Sequence, residues 1–160
     1  MIWKKNNAIF PKSANNDYKG YNIAKYVFLF IIFFTLARSC IHLFAPDGGA
    51  GTIAGLDTSG EMGQNLISIF SMWGLSQLFI GFFFIIVYLR YQNLISFCYL
   101  ILIIEYTGRI TIGFFKPIIS SHTPPGAIGN YLLIPLSILM FILSIMVPKK
   151  QKWKIQKRWD

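Results

Sequence analysis

The chain is poor in the groups that carry redox and metal chemistry. Its 160 residues include two cysteines and two histidines. Cys40 and Cys98 fall in separate apolar runs, no CxxC occurs, and a thiol-redox centre therefore has no support. Both read as small buried hydrophobes. A metal site would need His42, His122 and a convergent acid, a spacing that is not diagnostic, so no metal is expected. His122 sits in a loop, which argues against a bis-histidine haem inside a helical bundle. Acidic residues are scarce too, six against 15 Lys and Arg. The glycine-rich stretch GGAGTIAG (48–55) lacks the Lys-Ser/Thr of a P-loop and follows an apolar run instead of a strand, so it reads as a flexible connector. Missing as well is the polar face of a water-soluble helix. KYVFLFIIFFTLA and QLFIGFFFIIVYL are apolar all round.

What the chain does have is four apolar runs, Ile23–Phe44, Gln64–Leu89, Leu94–Phe115 and Ile128–Val147. Each is close to the roughly 20 residues that cross a bilayer as a helix. The expected fold is all-α, a polytopic membrane four-helix bundle. Residues 1–22 form a basic leading segment, 23–147 the bundle and 148–160 a basic tail. The first run is longer than the apolar core of a cleavable signal and follows a polar stretch, so it is expected to stay as a helix.

Charge placement orients the bundle. Lys4, Lys5, Lys12, Lys19 and Lys25 crowd one end of the chain, and Lys149, Lys150, Lys152, Lys154, Lys157 and Arg158 the other. Arg90 marks the turn between runs two and three. The connection 45–63 carries Asp47, Asp57 and Glu61 without a cation, and 116–130 has Lys116 alone. Cations collect on the cytoplasmic side, so both termini and the Arg90 turn are expected inside and the other two connections outside. The formal charge of +9 then belongs to anionic lipid headgroups, and nucleic acid is not expected as a partner. Trp153, Ile155 and Trp159 among the tail cations read as an interfacial segment lying on the inner leaflet.

The informative residues are those a bilayer should exclude. A charge at mid-span costs at least about 2.5–3.5 kcal/mol on insertion scales and is expected to face protein or water. Arg38, Glu105 and Arg109 are such groups. Glu105 and Arg109 lie four residues apart with the acid first, the favourable order on one helix face. Arg38 and His42 share a face of the first span, with Thr35 one turn deeper. Glu61, Asn65, Ser68 and Met72 make a stripe entering the second span, and Gln77 lies near its centre. These groups gather in the outer half. Arg38, His42, Glu61, Asn65, Gln77, Glu105 and Arg109 are the candidate ligand-binding residues; no catalytic residue is identified.

Two guanidiniums against one carboxylate leave an excess positive charge unless Glu61 or Asp57 folds in. One arrangement is a structural clamp, with Arg38 bridging to Glu105 or Glu61 and joining three spans. The other is a cationic pocket for a lipid phosphate, a carboxylate or a polar quinone head, since the arginine fork suits either role. Gly74 and Gly81 allow close helix contact in the second span.

The layout resembles the DoxX-like group of small bacterial four-helix membrane proteins. Four spans, a long polar first outer loop, the asparagine-bearing start of span two (GQNLISIFSMWGLSQ) and the internal arginine of span three (GRITIG) carry the resemblance over about residues 20–147. It implies the fold and a bacterial cytoplasmic-membrane location, and no activity. The function expected is binding of a lipid-like or quinone-like molecule, or service as a subunit of a membrane complex, with membrane lipids, other membrane subunits or further copies of the chain as partners. The alternative is an enzyme acting on a lipid or isoprenoid, with Glu105 or His42 as acid/base. A small proton-coupled transporter, working as an oligomer, is a third reading.

Overall fold

Four helices take up the apolar runs: α1 (Asn22–Phe44), α2 (Gly60–Arg90), α3 (Ile95–Phe115) and α4 (Pro125–Ile145). They come from a computed structural model that describes residues 9–148. Lys4, Lys5 and the basic tail from Lys149 onward lie outside the described residues. Each helix is long and apolar enough to cross a membrane. In each apolar window a third or less of the residues is buried within the bundle. The exposed remainder includes Phe30, Phe33, Phe34, Phe79, Ile104 and Leu132. Surface of that kind is suited to lipid in place of water, and four such helices are what a multi-pass membrane protein has.

The helix limits differ from the apolar runs where polar residues still favour helix. α2 begins at Gly60, four residues before the run, behind a turn in which Asp57 Oδ1 accepts the Ser59 backbone N–H at 2.9 Å. At 1.5 Å per residue its 31 residues span about 46 Å, more than the roughly 30 Å hydrocarbon layer. Its first turns carry the polar Glu61 and Asn65, which precede or open the apolar run. α3 is preceded by a 3₁₀ turn, Gln92–Leu94. α4 starts at Pro125, whose missing N–H is harmless in a first turn, and stops at Ile145, leaving Met146 and Val147 outside it.

The helices pair as two hairpins, although the shortest connection, residues 91–94, joins α2 to α3. α1 packs along α2 and α3 along α4; α1 also meets α4, whereas α3 touches α1 and α2 sparsely. The apolar core lies toward the end that bears the termini. There the Phe28 ring meets those of Phe84 at 5.2 Å and Tyr99 at 5.6 Å. The Tyr99 hydroxyl donates to Ala24 O at 2.7 Å, tying α3 to α1. Cys98 is buried in this core, but Cys40 is exposed. The expectation of two buried cysteines thus fails for Cys40, which lies on the exposed side of α1.

The segment before α1 is fastened across the same end. Asn93 Nδ2 donates to Ser13 O (2.8 Å), Asn93 Oδ1 accepts from Asn15 N (2.9 Å), and the Asn93 N–H donates to Asn15 O (3.2 Å). Phe10 sits on Phe97 with ring centroids 5.5 Å apart, and the Tyr21 N–H donates to Leu143 O. Asn93→Ala removes both side-chain bonds, each worth about 1 kcal/mol or less at an exposed site. Trypsin cleavage after Lys12 and Lys19 is expected to accelerate roughly tenfold by mass-spectrometric time course, as local opening becomes easier. An unchanged rate would mean that the Asn93 side chain does not hold this segment.

At the opposite end the glycine-rich connection is folded, against the expectation of a flexible connector. Asp47 caps it: Oδ1 accepts from Gly49 N (2.9 Å) and Oδ2 from Thr52 N (2.7 Å). Gly48 and Gly49 take φ of 59° and 72°, the left-handed region that favours glycine. The second loop joins it, through Ser121 N–H to Gly55 O (2.8 Å) and His122 Nε2–H to Ile53 O (3.1 Å). These contacts bridge the α1/α2 hairpin to the α3/α4 hairpin.

The backbone N–H groups of Thr52 and then Gly49 hold the Asp47 carboxyl down to about 2, from an ordinary 3.8. A lowered value means that the ionised form stabilises the folded loop. Its contribution is full above 3.8 and is lost as pH falls through about 2. Hydrogen-exchange protection of Thr52 and Gly49, corrected for intrinsic rates, is expected to hold from neutral pH to the ordinary value and fade below it. In Asp47→Asn that pH dependence should vanish.

Candidate functional site

Helix register brings four of the sequence-predicted polar residues together. Arg38 lies in the second half of α1, Gln77 near the middle of α2, and Glu105 and Arg109 at and beyond the middle of α3. Arg38 Nη2 donates to Gln77 Oε1 at 3.1 Å, and Gln77 Nε2 donates to Glu105 Oε1 at 3.0 Å. Arg109 Nη2 donates to the same Glu105 oxygen in a close ion pair. The relay Arg38–Gln77–Glu105–Arg109 thus crosses from α1 through α2 to α3, where the backbones are far apart and long side chains must reach. The direct bridge expected from Arg38 to Glu105 or Glu61 is replaced by one through the neutral amide of Gln77.

Trp73, one turn before Gln77, organises the cationic part. The guanidinium carbons of Arg38 and Arg109 each lie 5.0 Å from its ring centroid, so the two cations are within twice that distance of each other. A guanidinium over an indole is attracted by its quadrupole, by about 2 kcal/mol or more when desolvated. Arg109 also lies 5.7 Å from the Tyr106 ring. His42 packs on Trp73 with ring centroids 4.7 Å apart and contacts Phe70 edge-on. His42 Nδ1 is 2.7 Å from Gly48 O. A carbonyl only accepts, so Nδ1 carries the proton there. His42 thereby links the Asp47 loop to Trp73 and is buried as a packing and positioning group.

Glu61 and Asn65, by contrast, are exposed at the start of α2, as are Ser68 and Met72 below them. That stripe faces away from the bundle and does not enter the cluster. Asp57 is engaged with Ser59, both backbone and hydroxyl. Among the described residues the ion pairs are Lys19–Asp17 and Arg109–Glu105. The cluster therefore keeps one more guanidinium than carboxylate.

Each guanidinium has five N–H donors, and each commits only Nη2 to a protein acceptor. Arg38 Nε is buried and unpartnered. Such a donor costs about 1–3 kcal/mol, and more when it belongs to a charged group. The cluster is also partly open: the Arg109 and Glu105 side chains retain 19% and 22% exposure. A partly open, cationic group of unused donors can receive hydrogen-bond acceptors. Among the described residues no three His, Cys, Asp or Glu groups are placed to hold a metal.

Trp73 is the member that sequence reasoning passed over. Its signal was its spacing, four residues before Gln77 and adjacent to Gly74, on the side of α2 that meets α1. An indole in an apolar span is otherwise read as packing or an interface anchor. Comparisons with known proteins add nothing to this geometry: no family model, no curated protein and no solved structure matches the chain.

Proposed function

We propose that this is a bacterial cytoplasmic-membrane protein, both termini inside, whose polar cluster in the outer half binds the head group of a lipid-like or quinone-like molecule. The observation that carries the reading is the surplus of guanidinium donors on Arg38 and Arg109 that no protein acceptor takes, one of which, Arg38 Nε, is buried. Loop charge supports the orientation, and the four-span layout with GRITIG in the third supports kinship with the DoxX-like group. Glu105 and Gln77 hold the two cations in place, Trp73 spaces them, and the exposed apolar faces of the helices accommodate the tail among membrane lipids.

Native mass spectrometry of gently solubilised protein, wild type beside Arg38→Ala, tests this. The expected result is a bound molecule of defined mass that is lost in the variant. No retained molecule, with a partner protein or a stable oligomer instead, would make the cluster a clamp and the chain a scaffold subunit of a membrane complex.

A further inference from the structure

We infer that the head group is a singly charged, acceptor-only anion, a phosphodiester or a carboxylate, received by Arg38 and Arg109 together. The inference rests on the binding-site reading above and narrows it. The charge count comes first. Arg38 and Arg109 face Glu105 alone, Glu61 is exposed outside the cluster, and Asp57 is held by Ser59. One positive charge is left over at depth, where an uncompensated ion costs several kcal/mol. A head with one negative charge cancels it, whereas a neutral quinone leaves it standing.

Hydrogen bonding gives the same answer independently. What the cluster lacks is acceptors: Gln77 spends its oxygen on Arg38 and its amide N–H on Glu105, and one Glu105 oxygen already takes two donors. Guanidinium forks match the paired oxygens of phosphate and carboxylate, giving short charge-assisted bonds. A quinone carbonyl offers one acceptor atom at each end of its ring. Access is lateral. The two loops join over one end of the bundle, and the apolar core and the segment before α1 close the other. The sparse contact between α2 and α3 leaves the flank beside Glu105 and Arg109 open. An anionic head can thus enter while its chains stay in lipid.

The test uses the full chain in neutral detergent with Trp3, Trp153 and Trp159 changed to phenylalanine, so that fluorescence reports Trp73. Four probes are titrated: short-chain phosphatidylglycerol, phosphatidylcholine of equal chain length, a short-chain benzoquinone and inorganic phosphate. Phosphatidylcholine has the same phosphodiester, but its choline cation leaves the head net neutral, so phosphatidylglycerol, which alone cancels the surplus charge, should bind about tenfold or more tightly. Arg38→Gln or Arg109→Gln should erase that preference although the basic tail is untouched, and Arg109→Lys should keep part of it.

A benzoquinone that binds as tightly as phosphatidylglycerol, with no loss in the glutamine variants, would overturn the anion and leave the binding-site reading standing. Inorganic phosphate that matches phosphatidylglycerol would support the anion and remove the amphiphile. Phosphatidylglycerol that binds no better than phosphatidylcholine would overturn the anion, and binding of no probe at all would overturn both.

Discussion

Gln77→Leu is expected to lower the unfolding free energy of the detergent-solubilised protein by about 2–3 kcal/mol. Gln77 carries the hydrogen-bonded route by which Arg38 and Glu105 meet, through bonds of 3.1 and 3.0 Å. Hydrogen bonds to charged groups contribute about 1.5–3 kcal/mol each in soluble proteins, and deletion leaves the charged partner unpaired. Interhelical bonds in membranes average nearer 0.6 kcal/mol, because the unfolded chain also finds partners. Leucine, similar in volume, keeps the packing of this buried position, so the loss should fall between these limits. Equilibrium denaturation with Gln77→Leu, Glu105→Gln and the double variant gives the coupling; the double variant should lose less than the sum. A Gln77→Leu change below 0.5 kcal/mol or so would show that the relay does not hold the hairpins together.

Gly74→Ala is the second large effect, about 2 kcal/mol of destabilisation. A Cβ at Gly74 would lie 2.7 Å from His42 Cβ and 3.1 Å from the backbone carbon of His42 and nitrogen of Leu43. Neither atom of the α1 backbone can yield without moving the helix, and forced separations of packed elements cost about 1–3 kcal/mol. At Gly81 the new atom would meet Leu36 Cδ2 at 2.6 Å. That is the far end of a flexible side chain, which can turn away, so Gly81→Ala should cost less than Gly74→Ala. The Gly74 variant should also disturb the site, since Trp73 is its neighbour and His42 its contact. Denaturation of both variants, with Trp73 emission as a second readout, checks the order. Equal costs would mean that α1 and α2 approach no more closely at Gly74 than at Gly81.

The spans were legible because lipid-facing helices need apolar residues on every side, and a run of that length has one physical explanation. Their ends were less legible. Gly60–Gly63 is helical without being apolar, and Met146 and Val147 are apolar without being helical. The convergence of Arg38, Gln77, Glu105 and Arg109 could be anticipated from depth, because each is costly in a bilayer and needs polar company. Depth alone says nothing about facing. Glu61 and Asn65 sit at the right end but on the exposed side of α2, and no periodicity distinguishes a stripe turned outward when both sides are apolar below it. Trp73 was hidden for the opposite reason: aromatic residues are common in spans, and only the neighbouring arginines give this one a role. The Gln77 relay was invisible because a neutral amide between two charged groups leaves no mark in a charge count.

The most direct measurement is electron density at the guanidinium pair, in crystals grown from a lipid mesophase seeded with lipid from the protein's own membrane. The account predicts ordered density within hydrogen-bond distance of both Arg38 and Arg109, continuous with a chain running out between α2 and α3. An empty site in which Arg38 has turned onto Glu105, closing the cluster on itself, would contradict it.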